Sequence, residues 1–364
     1  MASRAHDVDV AVVGAGPGGA AAAIVCAGAG LRVVLLERSA LPRERAGETL
    51  HPGVDAPLRE LGVLDRVQGA GFVRHAGIDV RWDGPARFEP FGGDEDGPWR
   101  GYQALRETFD ALLLERAREL AVEVHERVRA IAPEHLDGRV SGVRTSAGLV
   151  RARYVVDAGG GGHWLARRLG LERDERSPML IARYGYAAGQ CPARDEAPAI
   201  AADEEGWIWT ARVSDGVYAW TRLALSAVPG DAELPAELAG LRPRGRKRSA
   251  DVTWRVVSAP AGPGYALAGD AAAVLDPASS HGVLRALLSG MHAGRLARAV
   301  LGGGSEARLA LQYTRFIAGW FEHDVKQLRT LYARLPAAPE WARAGGGAAI
   351  QRPQRAPGRH TPRG

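Results

Sequence analysis

Two glycine-rich segments near opposite ends of the chain combine residue types that can hold a dinucleotide. The first reads Val13-Gly-Ala-Gly-Pro-Gly-Gly19. Gly14 can form a tight turn, Gly16 lets the backbone approach a pyrophosphate, and Gly19 lets a helix pack closely on the preceding strand. Glu37 lies eighteen residues after Gly19, close to the spacing of a ribose-binding carboxylate. This segment therefore predicts a pyrophosphate site beside an acid for the adenosine ribose.

The second segment, from Gly269 to Gly282, reads Gly-Asp-Ala-Ala-Ala-Val-Leu-Asp-Pro-Ala-Ser-Ser-His-Gly. Asp270 can accept hydrogen bonds from ribityl hydroxyls, although an isolated Asp here would be interpreted as a helix N-cap. Gly282 and Val283 begin a helix whose positive end would lie by the N1/O2 edge of a flavin. Pro277 has no N–H and can pack near the ring without leaving a buried donor unsatisfied. The pair of segments predicts FAD as the cofactor.

The elements around these segments fit a dinucleotide fold. Residues 9–13 and 31–36 are apolar, β-branched runs typical of buried parallel strands, and the Ala-rich residues 19–28 between them predict a helix. Residues 206–223 alternate apolar and polar side chains around an Asp-Gly pair, which predicts a β-hairpin. Residues 226–249 are rich in Pro, Gly and Arg and are interpreted as a loop. Further helices are predicted at residues 54–64, 106–120, 283–301 and 308–335.

Composition limits the class of protein. A chain of 364 residues that is 46% hydrophobic can bury a large core. Its net charge of +5 could indicate a nucleic-acid partner, but residues 336–364 contribute four of these charges. The rest of the chain is nearly neutral, so we expect no nucleic-acid partner. The Pro-, Gly-, Ala- and Arg-rich residues 336–364 are predicted to form a disordered basic tail.

The two cysteines and the apolar segments point to a reduced setting away from membranes. Cys26 and Cys191 give neither a disulfide framework nor a metal-ligand spacing, so we expect no metal. Residues 10–30 are apolar, but glycines interrupt them and the nucleotide fold needs them, so they are not interpreted as a signal peptide. No other segment is long and apolar enough to span a bilayer. These features predict a cytoplasmic protein.

Together these motifs resemble the flavoprotein superfamily of aromatic-ring monooxygenases, flavin-dependent halogenases and geranylgeranyl-type reductases. The resemblance covers residues 7–335 and is closest to small halogenase-like oxidoreductases, some of which hydroxylate tryptophan, including tryptophan within a partner protein. It implies an α/β fold of the glutathione-reductase type, a Rossmann FAD domain with an inserted β-sheet substrate domain. It also implies further cofactor-binding residues: Arg38 after Glu37, Arg45 and Glu48 near the flavin, Arg106 on a helix, the Val128 backbone at the adenine, Asp157 in an Asp-Ala-x-Gly turn, and Gly269 beside Asp270.

The same resemblance implies a discontinuous domain organisation. The FAD-binding domain is expected to comprise residues 1–71, 101–170 and 251–303. Residues 72–100 and 171–250 would form the substrate domain. Residues 304–335 would form a C-terminal helix.

Departures from the halogenase pattern disfavour halogenation. Flavin halogenases use a lysine to handle hypochlorous acid, and the matching position here is Arg74. The only lysines of the chain are Lys247 and Lys326. An arginine stays protonated and does not readily form a comparable haloamine. Ser279 also stands where tryptophan halogenases place a glutamate.

Histidines near the motifs are the candidates for proton handling. His281 lies between Ser280 and Gly282, where side chains of the family approach the reactive edge of the flavin. We expect it to donate a hydrogen bond there, with a purely structural histidine as the alternative. Ser280 and Arg74 are the other catalytic candidates, and His75 is expected to line the substrate side.

Trp207 and Trp209 match an aromatic strand of the substrate sheet. Because alternate residues of a strand point to the same side, both rings share one face. They would form either an aromatic wall for a planar substrate or part of the core.

The function predicted from these residues is a FAD-dependent monooxygenase. It would hydroxylate an aromatic substrate, either a small molecule such as an indole or a tryptophan-containing polypeptide, through a flavin C4a-hydroperoxide. No second dinucleotide motif is visible, so electrons would come from transiently bound NAD(P)H or from a separate flavin reductase. The alternatives are a disfavoured halogenase, a flavin-dependent C=C reductase, and a flavin-binding maturation factor for a partner protein.

Overall fold

The computed structural model describes residues 6–43, 45–225, 234–335 and 337–343. Its strands and helices alternate in the first half of the chain, and two long helices come near the end. The strands are β1 His6–Val13, β2 Val33–Leu36, β3 Glu48–Leu50, β4 Val73–His75, β5 Gly77–Arg81, β6 Arg87–Pro90, β7 Gly93–Asp94, β8 Gly97–Pro98, β9 Gly101–Ala104, β10 Glu123–His125, β11 Ala130–Leu136, β12 Arg139–Thr145, β13 Gly148–Asp157, β14 Arg173–Glu175, β15 Ile181–Ala188, β16 Ala199–Asp203, β17 Gly206–Ser214, β18 Val217–Ala224, β19 Arg242–Asp251, β20 Arg255–Val257, β21 Ala261–Gly262, β22 Tyr265–Leu267 and β23 Ala273–Val274. The helices are α1 Pro17–Gly28, α2 Asp55–Glu60, α3 Leu64–Gly69, α4 Arg106–Glu119, α5 Trp164–Arg168, α6 Gly282–Leu301, α7 Glu306–Tyr332 and α8 Glu340–Arg343.

The first sheet is the dinucleotide-binding sheet. β10, β2, β1, β13 and β22 lie side by side and run parallel, and β11 and β12 extend the other half of β13 as an antiparallel meander. The central strands β1 and β2 are almost entirely buried, as their unbroken apolar sequences predict. This arrangement confirms the predicted α/β fold.

A second sheet of seven strands has the order β19-β15-β18-β17-β16-β5-β6. The predicted hairpin is confirmed as β17 and β18, which turn at Gly216 with a φ of +61°. Smaller sheets join β3, β9 and β4, and β14, β20 and β23. The segment before β3 packs against the seven-stranded sheet, since a Cβ on Gly47 would lie 2.9 Å from Val213 of β17 and 2.8 Å from Ala219 of β18.

Three sequence predictions about local structure were wrong. Residues 242–249 of the predicted loop belong to strand β19, because pairing with β15 satisfies a backbone whose composition suggested irregular structure. The helix predicted at residues 54–64 is broken at Gly62, whose φ is +70°. Residues 337–343 of the predicted disordered tail include helix α8, where Trp341 packs edge-on against Trp254. Residues 344–364 of that tail lie outside the described residues.

Among the helices that the structure describes, none combines the length and the apolar content needed to cross a membrane.

Candidate functional site

In the first glycine-rich loop, some glycines allow close packing and one borders an open groove. Gly14 has a φ of +101°, and a Cβ there would lie 2.4 Å from the carbonyl oxygen of Ala158. A Cβ on Gly19 would lie 1.8 Å from the carbonyl oxygen of Gly14. At Gly16 the only described atom within 4 Å of such a Cβ is a guanidinium nitrogen of Arg43, at 3.4 Å. Gly16 also precedes α1 without a side-chain cap, so the N-terminal N–H groups of the helix are available to a phosphate.

Glu37 is buried at the carboxyl end of β2 and holds this loop in place. Its carboxylate accepts hydrogen bonds from the N–H groups of Ala15, at 3.0 Å, and Ser39, at 2.9 Å, and it forms an ion pair with Arg43. Burial alone would raise the pKa of Glu37, but Arg43 and the two N–H groups outweigh burial and lower it. The carboxylate is therefore charged at the predicted ribose position, where only 1% of Glu37 is exposed and its two oxygens already hold the loop. Arg38, which follows it, is exposed.

Arg43 is a site residue that the sequence reasoning missed. Its guanidinium group lies between Glu37 and the open side of Gly16. A signal was present in the sequence, since an arginine follows shortly after the acid that ends β2.

A charged cluster connects the segment before β3 to the start of α4. Arg106 donates to both carboxylate oxygens of Asp110, at 2.9 and 3.2 Å, and to Glu48 at 3.0 Å. Burial raises the pKa of Glu48, and Arg106 only partly opposes this effect. Arg45 is close to this cluster. Burial lowers its pKa most, and the positive charges of Arg43 and Arg106 lower it further. The structure thus brings together the predicted residues Arg45, Glu48 and Arg106.

The second motif exposes the residues predicted to meet the flavin. Asp270 lies in a short 3₁₀ turn, and its side chain is accessible although protein atoms crowd around it. This desolvation raises the pKa of Asp270, while Arg106 and more distant arginines oppose the rise. Gly282 begins α6, and no described atom lies within 4 Å of the position that its Cβ would take. Pro277 and Ser280 are also exposed, Gly269 is half-buried, and Val283 is buried beneath the helix start.

Close packing of α1 against α6 brings the two motifs together. A Cβ on Gly290 of α6 would lie 2.1 Å from the carbonyl oxygen of Gly18. A Cβ on Gly18 would lie 3.7 Å from the nitrogen of Gly269, so the two glycine-rich segments touch directly. Ser289 of α6 accepts the N–H of Gly269 at 2.8 Å. Segments about 250 residues apart therefore form one groove, which the residues above fit as a site for FAD.

His281 belongs to a cluster of rings beside the start of α6. Its ring centroid is 5.5 Å from that of His51, which is 5.1 Å from Phe91, and Phe91 is 5.2 Å from His75. Burial and the charge of Arg285 lower the pKa of His281 to about 4, so its imidazole is neutral at pH 7. His51 and Phe91 had no role in the sequence prediction.

Hydrogen bonds set the tautomers of these neutral rings. Nδ1 of His281 faces a guanidinium nitrogen of Arg285 at 3.4 Å and must accept, which leaves the proton on Nε2. Nδ1 of His51 accepts the N–H of Gly53 at 3.0 Å, so its proton is also on Nε2. His75 is buried, its Nδ1 donates to the Gly77 carbonyl at 2.8 Å, and burial lowers its pKa.

Two predicted cofactor residues are engaged by the protein itself. Asp157 is fully buried, and its two carboxylate oxygens accept the N–H groups of Gly159, at 2.8 Å, and Leu165, at 2.9 Å. Burial raises its pKa to about 6. Asp157 therefore orders the turn that packs on Gly14 and has no surface for a ligand. The N–H of Val128 is also in use, because it donates to the Glu37 carbonyl oxygen at 2.8 Å.

Two other predictions are corrected by side-chain packing. Trp207 is fully buried and donates to the hydroxyl of Tyr332 at 2.8 Å, so it is a core residue and not a substrate wall. Arg74 donates to the carbonyl oxygens of Arg100 and Gly101 and lies over the ring of Tyr102, so its guanidinium group is committed to this strand region. Arg74 is therefore a packing residue and not the catalytic residue that the sequence predicted, because two carbonyl oxygens and one ring hold its side chain.

Trp209 lies closer to the cofactor segment. Its indole N–H donates to Thr49 Oγ1 at 3.1 Å, and Thr49 follows Glu48 in β3. The side chain is half-buried. The two tryptophans share a face of β17, as predicted, but only Trp209 contacts the β3 segment among the described hydrogen bonds.

A buried hydrogen-bond network supports the Pro277 turn, and sequence reasoning did not find it. Asp276 accepts the Trp254 indole N–H at 2.6 Å, the Tyr332 hydroxyl at 3.0 Å and the Ala278 N–H at 2.9 Å. Burial raises the pKa of Asp276 to about 6, against the effect of these donors. The network ties the turn to α7 and, through Trp207, to the seven-stranded sheet.

Comparison with known proteins assigns the family. Residues 7–259 match the family model described as FAD binding domain. The chain is 28% identical over 368 residues to the flavin-dependent halogenase armH3 of Armillaria mellea, covering 85% of this chain and 72% of that protein. It is 30% identical over 334 residues to the menaquinone reductase of Mycolicibacterium smegmatis, covering 81% and 76%. The solved structure of the myxobacterial chondrochloren halogenase CndH superposes with a TM-score of 0.85 at 28% identity, covering 94% and 87%. The chain belongs to the FAD binding domain family, as a FAD-dependent oxidoreductase of the halogenase-like kind.

Proposed function

We propose that this protein is a monooxygenase that hydroxylates an aromatic substrate with FAD as its cofactor. The observation that supports this proposal is the pairing of a neutral His281 at the start of α6 with the absence of a lysine from the described site. Lys247 is exposed on β19 and Lys326 is exposed on α7. Neither of them contributes to the ring cluster at His281. A halogenase mechanism that needs a lysine at the substrate has no candidate among the described residues.

The residues of the groove would divide the work of holding FAD. The open side of Gly16, the N-terminus of α1 and Arg43 would hold the pyrophosphate. Glu37 would accept from the adenosine ribose and Asp270 from the ribityl chain. Arg45, Glu48 and Arg106 would border the flavin, and the start of α6 at Gly282 would favour negative charge on the ring. When bound, FAD would supply the electrons and the O₂ chemistry.

His281 would act as a hydrogen-bond donor at the reacting edge. Its proton lies on Nε2, and its low pKa keeps the ring neutral at pH 7. A neutral donor can stabilise a forming oxyanion and exclude water without adding a full charge. Phe91 and His51 would pack edge-on against a planar substrate. Ser280, exposed with a φ of +54°, would help to fix the backbone just before His281.

The proposed substrate is an electron-rich aromatic ring, either free or as a tryptophan side chain of a polypeptide. The electrons would come from NAD(P)H or from a separate flavin reductase. The test supplies chemically reduced FAD and isotopically labelled O₂ to the purified protein, with indoles, phenols and tryptophan-containing peptides as substrates. We expect a product that has gained one labelled oxygen atom, detected by mass spectrometry. Free reduced FAD without protein is the control.

Two outcomes of this test would refute the proposal. One is a chlorinated or brominated product, above the free-flavin control, when halide is present. The other is no oxygenated product from any aromatic substrate while the protein binds FAD.

Reduction of a C=C bond is a second candidate, favoured by the similarity to the menaquinone reductase. Such a reaction needs no O₂. Product formation from a quinone or polyprenyl substrate under strict anaerobiosis would therefore support reduction, whereas dependence on O₂ would support hydroxylation.

A further inference from the structure

The edge strand β19 is a basic surface that the proposed reaction does not use. It closes one end of the seven-stranded sheet, and all ten of its residues are exposed. It carries five cations: Arg242, Arg244, Arg246, Lys247 and Arg248. Its one acid, Asp251, is paired with Arg255. Cations on an edge strand also prevent unwanted strand pairing, but that role does not require an arginine beside a cavity.

A cavity of about 270 Å³ lies between β19 and the start of α4. Arg244 of β19 and Arg45 both line it. Among the described residues, Glu107 is the one acid in the lining, which also includes Leu105, Tyr186 and Val217. The Tyr186 hydroxyl donates to the Arg45 carbonyl oxygen, which fixes the backbone at Arg45. Two arginines that line one concave space are suited to phosphate groups, since a guanidinium group can bind two oxygens at once.

A path of arginines leads from this cavity to the dinucleotide loop. Arg45 is close enough to Arg43 and Arg106 for their charges to act on it. Arg43 in turn lies beside the open side of Gly16, where the pyrophosphate is proposed to bind. The path is therefore a row of arginines in which Arg43 and Arg106 are paired with acids, whereas Arg45 and Arg244 line the cavity itself.

We propose that the cavity between Arg45 and Arg244 is a second binding site for the diphosphate of a dinucleotide. The inference rests on the proposal that the Gly14–Gly19 loop holds FAD, and it adds a site outside that loop. Two dinucleotides have the required chemistry: FAD on its way into the groove, and a nicotinamide dinucleotide that reduces bound FAD. Both are anions, and a cleft lined with positive charge raises the association rate of an anion.

The first arm of the test measures FAD association with the apoprotein by stopped-flow flavin fluorescence. The variants are Arg244→Gln, Arg244→Lys and the double variant Arg242→Gln/Arg246→Gln. Arg315→Gln on α7 is the control, because Arg315 is an exposed arginine on an element that does not line the cavity. If FAD passes through the cavity, Arg244→Gln lowers the association rate constant about tenfold at low salt, with an unchanged dissociation rate. The difference shrinks at about 1 M salt, where the screening length is only about 3 Å.

The second arm measures NADH and NADPH binding to the FAD-loaded protein. If the site serves the reductant, Arg244→Gln weakens binding of one of them about tenfold, and Arg244→Lys weakens it less. FAD association is then unchanged. Thermal unfolding of each variant shows whether the fold is retained.

The inference is overturned if Arg244→Gln alters neither FAD association nor NAD(P)H binding. It is also overturned if Arg315→Gln produces the same slowing, because the effect would then reflect net charge alone. An equilibrium FAD titration of the wild-type protein separates this failure from failure of the cofactor assignment. If that titration shows no FAD binding, the FAD role of the loop is wrong and the second site is wrong with it.

Discussion

The substitution Glu37→Gln tests how the adenosine half of the groove is built. The carboxylate accepts two backbone N–H groups, from Ala15 and Ser39, and pairs with Arg43. A glutamine keeps one accepting oxygen, while its amide nitrogen can only donate. At least one of these N–H groups then loses its acceptor, and Arg43 loses its counter-charge. The proposed hydrogen bond from the adenosine ribose to Glu37 also loses its charged acceptor, and such a bond contributes about 1.5–3 kcal/mol, so we expect FAD binding to weaken by about 1–3 kcal/mol, roughly 5- to 150-fold. Glu37→Ala should weaken it by a similar amount.

The measurement is an equilibrium titration of the apoprotein with FAD, followed by flavin fluorescence. Glu115→Gln provides a matched control, since Glu115 is an exposed acid on α4. Urea unfolding of both variants without FAD shows how much of the effect belongs to the loop itself. Unchanged or tighter FAD binding in Glu37→Gln, with normal stability, would therefore refute the assignment of Glu37 as the ribose acceptor.

The other predictions concern catalysis, acid stability and packing. His281→Ala should lower product formation and raise peroxide release. His281→Gln keeps a hydrogen-bond donor and should retain more of the coupling between flavin oxidation and product formation. Equal coupling in both variants and the wild type would remove His281 from the mechanism. The folded-state pKa of His281 is about 4, below the unfolded value of 6.5, so its contribution to stability is present above pH 6.5 and is lost as the pH falls towards 4. Between pH 7.5 and pH 5, the free energy of unfolding should consequently fall by about 2 kcal/mol less in His281→Gln than in the wild type, as measured by urea unfolding. No halogenated indole should form with chloride or bromide, and its detection by mass spectrometry would contradict the lysine argument. Gly290→Ala should destabilise the protein by about 1–3 kcal/mol, because its Cβ would lie 2.1 Å from the Gly18 carbonyl oxygen, and an unchanged melting temperature would exclude that contact.

The parts of the site that could be predicted from the sequence are those where the backbone conformation or a close contact allows only one residue type. Gly14 and Gly19 are required by a turn and by a close contact, and their spacing identifies them in the sequence. The position of Glu37 follows from the end of a parallel strand. Such constraints are local, so the pattern alone was sufficient to predict the dinucleotide-binding sheet.

The predictions that failed concern side chains whose surroundings are set by tertiary packing. A tryptophan on an alternating strand can face a ligand or a core, and Trp207 faces the core because Tyr332 of α7 covers it. An Asp before a glycine turn can face a ligand or hold the turn, and Asp157 holds the turn. The sequence of β19 contains Pro and Gly typical of loops, yet pairing with β15 makes it a strand. These choices depend on residues far away in the sequence.

The buried network at Asp276 gives a physical reason why substrate binding and flavin placement would be coupled. Asp276 holds the turn at Pro277, which is exposed where the flavin is proposed to lie. Tyr332 joins Asp276 to Trp207 of strand β17 in the seven-stranded sheet. Trp209, two residues further along the same strand, contacts β3. Because a buried carboxylate is costly unless its partners stay in place, a shift of the sheet cannot leave the turn unchanged. A substrate that moves the sheet would therefore move the flavin-facing turn with it.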